Sequence, residues 1–414
     1  MKILMIFQVA PLPPPRDMAS AKRNYPFLRE NIKHHEVSVI SFGTKEEERA
    51  FRDQMGSHCK HVRFVQNRRP RILNGLWYLL SLLTARSPFR ALVYRRKMQD
   101  AIDELLGLDR FDLIHSCGQL FGVYRFPPGV ALVSDTHNVE YDIVRRTYQE
   151  TRPGLRRILL FLDYRLSKKF EIAASREFGV LLATTERDKA LLQSDLPGKE
   201  IVVIQNGVHE SFLGYPPVPR DPHMMVFVGL FTFYPNAHAV RHFLDEIFPG
   251  IRRSIPDAKI TIVGSHPPRD IVDRASDHVA VTGWVDDVRP YIASAGVFVI
   301  PLRIGSGIRG KALEAMAMKC PIVTTTLGCA GIDLQDGVSA LFADRPEDFA
   351  AAVVRLMQNP AEGQQLAEQA YAVVARKHDW VAKGEELQQV YQRLLERTPC
   401  PASTEPGLNP ESGS

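Results

Sequence analysis

The sequence predicts an α/β chain of two doubly wound, parallel-sheet domains that face each other across a cleft. Three observations predict it. Short β-branched runs alternate with helical patterns over most of the 414 residues, as in parallel sheets whose crossovers are helices. Four prolines between Tyr215 and Pro222 interrupt that alternation, where neither a helix nor a central strand can continue. Each side of the break has an ordinary domain length. Hydrophobic residues at 45% and charged residues at 24% are usual for a globular chain, which excludes a disordered, collagen-like or disulfide-scaffold protein.

The elements follow in order. Strands are expected at Lys2–Phe7, Glu36–Phe42, His61–Val65, Leu113–His115, Ala131–Thr136, Gly179–Thr184 and Ile201–Ile204. After the break they are expected at Met225–Val228, Lys259–Val263, Val279–Thr282, Val297–Pro301, Pro321–Thr325 and Ala340–Phe342. Helical periodicity marks Ala237–Phe248, Lys311–Met318, Pro346–Gln358 and Trp380–Glu396. The expected organisation is a first domain at 1–206, a linker at 207–224, a second domain at 225–379 and a last helix at 380–396. The Pro/Ser/Gly/Glu-rich stretch 397–414 lacks apolar periodicity and is expected to be disordered. The apolar run at Ile3–Phe7 is too short for a signal peptide and reads as a buried first strand. No run is long enough to span a bilayer. Five widely spaced cysteines without a CxxC pattern point to reduced thiols and a cytoplasmic setting.

Doubly wound sheets bind ligands at the carboxyl ends of their strands, so the cleft is the expected site. The richest segment there runs from Val297 through Gly305-Ser306-Gly307-Ile308-Arg309-Gly310-Lys311 to Glu314: a strand, a glycine loop and a helix. Glycines let backbone amides approach an anion, and the helix N-terminus adds its positive dipole. Arg309 and Lys311 add two cations. Glu314 shares a helix face with Lys311, and a carboxylate there suits a vicinal diol. Phosphate plus ribose points to a nucleotide. The string Gly305-x-Gly307-x-x-Gly310 also fits a dinucleotide fingerprint, but the acidic residue expected at the end of the next strand is absent. His238 and His242, at i,i+4 spacing without a third ligand, read as a solvated face. Asp286-Asp287 form an acidic pair in a loop after Trp284.

On these residues the chain resembles GT-B-fold glycosyltransferases of the family 4 type. The segments "IVVIQNGV", "FVGLFTFYPNAHAVRHFLDEIFPGIRRSIPDAKITIVG" and "TGWVDDVRPYIASAGVFVIPLRIGSGIRGKALEAMAMKCPIV" carry the resemblance. It implies two Rossmann-like domains and a retaining transfer from a UDP- or GDP-linked sugar. The acceptor would be a glycan or a polyprenyl-diphosphate-linked molecule, in surface polysaccharide or glycolipid biosynthesis. No metal cofactor is implied. The last helix would cross back to the first domain. Carried over by position, Glu314 would bind the ribose. Gly305, Ser306, Gly307 and Ile308 would line the diphosphate and sugar, Gly229 would admit phosphate closely, and Arg309 and Lys311 would neutralise the leaving group. His137, in "SDTHNVEY", would face the donor sugar or acceptor. The first of the family's two paired glutamates falls on Ser306, and the Arg and Lys that many relatives carry after Met225–Val228 are missing. A non-catalytic nucleotide- or glycan-binding protein and a nucleotide-sugar epimerase are the alternative readings.

Charge is unevenly placed. Residues 1–200 carry 33 basic and 23 acidic side chains, while residues 51–100 alone carry 11 and 2. Arg68, Arg69, Arg71, Arg95 and Arg96 flank an apolar helical pattern that includes Trp77. The expectation is docking to an anionic membrane surface beside the acceptor, on the inner face of the cytoplasmic membrane; the alternative is that the leucines pack inside the first domain. No nucleic-acid recognition module accompanies the charge.

Overall fold

The computed structural model describes residues 1–13, 19–66 and 74–397. The chain forms two all-parallel sheets. The first has seven strands: β1 (Lys2–Phe7), β2 (Glu36–Phe42), β3 (Val62–Val65), β4 (Leu113–Cys117), β5 (Ala131–Thr136), β6 (Val180–Ala183) and β7 (Glu200–Val203), in the order β3-β2-β1-β4-β5-β6-β7. The second has six: β8 (Asp221–Val228), β9 (Lys259–Val263), β10 (Val279–Gly283), β11 (Ala295–Ile300), β12 (Ile322–Thr324) and β13 (Leu341–Phe342), in the order β10-β9-β8-β11-β12-β13. Each strand expected from the sequence has an observed counterpart, with ends displaced by a few residues.

In both sheets the order reverses next to the first strand, at β1/β4 and at β8/β11. These reversals open a crevice at the carboxyl edge of each sheet. Both faces are covered, which explains the continuous apolar strands. On β1, Ile3, Met5 and Phe7 enter one core cluster while Leu4 and Ile6 enter another. The second sheet has its own core, built on Val226, Phe227, Phe298 and Ile300.

The region between the sheets differs from the expected linker. Glu210–Leu213 forms a helical turn, and β8 begins at Asp221, inside the stretch assigned to the linker. Pro222 sits at the start of that strand, where a missing N–H is tolerated. The helix expected at Ala237–Phe248 begins at Tyr234 and widens into a π-type turn at Phe243–Ile247. The last helix, Trp380–Arg397, packs on the first sheet. Trp380, Leu387, Val390 and Tyr391 join its core, and the Tyr391 hydroxyl lies 2.5 Å from His115 Nδ1. The two crossings between domains lie side by side: Val208 N donates to the His378 carbonyl at 2.9 Å, and a Cβ at Gly207 would sit 2.7 Å from the Trp380 ring. Among the described residues, no helix is long and apolar enough to cross a membrane. Of the stretch 397–414 expected to be disordered, Arg397 ends the last helix, and 398–414 lies outside the described residues.

Candidate active site

The glycine loop follows β11 and ends in the helix Gly310–Ala317. Gly305 and Gly307 have φ of 144° and 74°, conformations that disfavour a side chain. Crowding adds to this, most firmly at Gly307, where the neighbour is backbone. A Cβ at Gly305 would lie 2.5 Å from Arg309 Nη2, and one at Gly307 would lie 2.5 Å from the His137 carbonyl of the first domain. The loop therefore lets two backbones meet across the cleft.

Arg309 is buried and folds back on its own loop. Its Nη1 donates to the carbonyls of Ser306 and Gly307, the latter at 2.8 Å, while Nη2 is buried without a partner. Burial pulls the guanidinium down to about 10. Lys311 donates to Asn236 Oδ1 at 2.8 Å and sits 4.0 Å from the centre of the Phe227 ring. Burial, then Arg309, holds its ammonium well below the usual lysine range. Both cations lack a carboxylate salt-bridge partner among the described residues, so their charge is available to an incoming anion. Gly229 follows the adjacent strand β8; a Cβ there would lie 2.9 Å from both Lys311 Nζ and Asn236. Glu314 is buried one turn along the helix and takes an ion pair from Lys22 of the first domain.

Ser306 and Gly307, expected to line the diphosphate and sugar, bond the first domain in this structure. The Ser306 hydroxyl donates to Asp188 Oδ1 at 2.6 Å and accepts from Val139 N at 3.1 Å. Gly307 N donates to Asp188 Oδ2 at 2.9 Å. Ile308 packs into the second domain's core. The cause is Asp188, which stands at the start of helix Glu186–Asp195 with Thr185 as its N-cap. Its carboxylate satisfies the loop as an anion would. Direct bonds thus tie the loop to the first domain.

The facing wall holds a buried charge network. Arg23 grips Asp135 in a bidentate pair at 2.8 Å on both arms and donates to Asn206 Oδ1 at 2.7 Å. His137 Nε2 lies 3.6 Å from Asp135 Oδ2 and has no hydrogen-bond partner. Burial lowers His137 below the ordinary histidine value, so the imidazole is neutral near pH 7. Nearby, Glu171 caps helix Glu140–Glu150 by accepting from Tyr141 N at 2.8 Å and Glu140 N at 3.1 Å. Burial raises Glu171 to about 8 and Glu140 to about 7.

Lys22, Arg23, Asp135 and Asp188 were not legible as site residues. Local signals were present at two of them: Asp135 is a carboxylate in an otherwise uncharged buried strand, and Asp188 follows Thr185 at capping spacing. Others of the sequence-based candidates lie elsewhere. Arg68, Arg69 and Arg71, and the Trp77 side chain, lie outside the described residues. Arg96 is exposed; Arg95 is half-buried and donates to the Tyr94 carbonyl at 2.7 Å. His238 and His242 are half-buried, not on a solvated face, and His238 lies 5.9 Å from the Tyr234 ring. Desolvation lowers His238 to about 4. Among the described residues no three His, Cys, Asp or Glu side chains form a cluster that could hold a metal ion. A concavity of about 670 Å³ lies away from these residues, at the far end of helix Gly310–Ala317, beside Met318, Pro216 and Tyr371.

Two family models match the chain. "Glycosyltransferase Family 4" covers residues 27–212, and "Glycosyl transferases group 1" covers residues 222–359. A glycogen synthase from Mycobacterium tuberculosis is 29% identical over 222 residues, which is 49% of this chain and 51% of that protein. The match thus spans about half the length of that relative. Among solved structures, sucrose-phosphate synthase from Thermosynechococcus elongatus superimposes with a TM-score of 0.68 at 17% identity, covering 96% of this chain and 100% of that one. Anabaena HepE in complex with UDP superimposes with a TM-score of 0.66 at 12% identity, covering 95% and 100%.

Proposed function

The chain belongs to the family 4 glycosyltransferases of the GT-B fold, and on that premise we propose that it moves a sugar from a UDP- or GDP-linked donor to a glycan or polyprenyl-diphosphate-linked acceptor with retention of configuration. The observation that carries this reading is the convergence of Arg309, Lys311 and Glu314 at one helix start, opposite His137 across the cleft. Cleaving a sugar–diphosphate bond builds negative charge on the leaving phosphate. One preorganised donor to such charge is worth roughly 3–4 kcal/mol. Arg309 and Lys311 supply two cations, and the helix end adds its dipole. Glu314 takes the ribose hydroxyls once Lys22 releases it. Neutral His137 orients the acceptor or a sugar hydroxyl. The acceptor attacks on the face the phosphate leaves, and a phosphate oxygen takes its proton. The setting is polysaccharide or glycolipid synthesis at the cytoplasmic side of a membrane, with residues 68–97 toward anionic lipid. No metal is required by this scheme.

A thermal-shift panel of UDP, GDP, ADP and dTDP, with and without their sugars, tests the reading. A ligand at 100 times its Kd adds about 2.7 kcal/mol of stability. One nucleotide is expected to stabilise strongly, and its sugar to be transferred to an acceptor with the anomeric configuration retained by NMR. Nucleotide binding without turnover would favour a non-catalytic binding protein. Conversion of free nucleotide-sugar without acceptor would favour an epimerase.

A further inference from the structure

Two helices of the first domain expose an unusual amount of apolar surface. Helix Asn74–Leu83 leaves Leu79, Leu80 and Leu83 exposed. Helix Leu155–Arg176 packs against it and leaves Leu155, Ile158, Phe161 and Leu162 exposed, at 72% for Leu155 and 59% for Ile158. Leu155, Ile158 and Leu162 recur at i, i+3 and i+7, which places them on one stripe. Polar contacts line the inner side of the second helix: Tyr78 of the first helix bonds the buried Asp163 side chain, and Ser87, which caps the next helix Pro88–Val93, meets Ser167 at 3.3 Å. The leucines therefore point outward because the inner side is already filled.

The charge around this surface has one sign. Residues 152–169 carry six Lys and Arg and a single carboxylate, the buried Asp163. Arg86, Arg90, Arg152, Arg156, Arg165 and Lys169 are exposed. The surface also borders the cleft. Arg156 lies over the Tyr234 ring of the second domain, 6.0 Å from its centre, and Glu150, just before the helix, pairs with Arg303 of the glycine-loop segment at 2.6 Å.

We propose that the first two turns of helix Leu155–Arg176, together with Leu79, Leu80 and Leu83, insert into the interface of an anionic bilayer and hold the cleft mouth at the membrane. This deepens the reading that residues 68–97 face lipid, and it adds an element that the charge count of those residues does not reveal. Apolar stems enter the acyl boundary while the arginine rim meets lipid phosphates, the pairing that holds interfacial helices. A lipid-linked acceptor would then reach the cleft by lateral diffusion.

Flotation of the full chain with vesicles of phosphatidylcholine alone, and of phosphatidylcholine mixed with phosphatidylglycerol, tests this. The native chain is expected to float with the mixed vesicles and weakly with the neutral ones. The combined variant L155S/I158S/F161S/L162S is expected to lose about tenfold or more in partitioning. Its nucleotide-induced thermal shift should stay unchanged, because these side chains are exposed and outside the site. Equal flotation of variant and native chain would overturn the role of this helix while leaving the reading of residues 68–97 intact. Absence of flotation with both vesicles would overturn the docking proposal, as would light scattering that shows the same variant breaking a native dimer. The nucleotide panel is read separately, so failure of donor binding is distinguishable from failure of docking.

Discussion

The two walls of the cleft are built in opposite ways. On the second domain, Gly305 to Glu314 form one continuous segment whose cations curl onto their own loop or onto Asn236. On the first domain, Lys22, Arg23, Asp135, His137, Asp188 and Asn206 come from four separate segments, with most charges locked in pairs. One wall keeps unneutralised cations for a ligand; the other uses its charges to hold itself and its neighbour in place. Substitutions should therefore damage activity on one side and stability on the other.

The largest effect is expected at the locked wall. Asp135→Ala leaves the Arg23 guanidinium buried without its partner, and breaking such a pair costs about 3–5 kcal/mol. Urea denaturation should show this as a lower midpoint; an unchanged midpoint would remove the stabilising role of the network. Arg309→Ala should act on the other side. Transfer should fall by about 10²–10³-fold, with a smaller loss of stability than in Asp135→Ala. Near-normal turnover would show that Arg309 is not the leaving-group cation.

A subtler contrast concerns pH. The folded Glu171 carboxyl is raised to about 8 from an ordinary 4.5, so the folded state keeps a proton that the unfolded state releases. Its contribution is present on the acid side and is lost as pH rises from about 4.5 through 8. Glu171→Gln should flatten that decline in a series of urea midpoints. The smallest effect is expected at the seam between the walls. Ser306→Ala removes the hydroxyl bonds to Asp188 and Val139 and should cost about 1 kcal/mol.

The same contrast explains what the sequence could disclose. Strand positions, domain number and the glycine loop were legible because apolar runs and a contiguous motif need no knowledge of tertiary contacts. Arg309, Lys311 and Glu314 lie within six residues, so helical spacing alone groups them. Asp188 lies 118 residues from Ser306, and Lys22 lies 292 from Glu314, so only the folded topology joins them. Asp188 carried a local signal, a Thr185-x-x-Asp188 cap, but a cap alone does not reveal that the carboxylate also serves another domain. Ser306 shows the limit most clearly. Its position in the motif suggested a donor contact, yet its hydroxyl is held by the opposite wall.

On the proposed reading Arg309 and Lys311 meet a nucleoside diphosphate, and burial disfavours the charged form of Lys311 the more strongly of the two. Bound diphosphate would favour the charged Lys311 ammonium, so binding should take up a proton above the lowered Lys311 value, and affinity should fall as pH rises through that value. Calorimetric titration of UDP and GDP in two buffers of different ionisation enthalpy measures this directly. The expected result is binding with proton uptake in the native chain, loss of the uptake in Lys311→Met, and at least about tenfold weaker binding in Arg309→Ala. Binding of equal strength in all three proteins, without proton uptake, would contradict it.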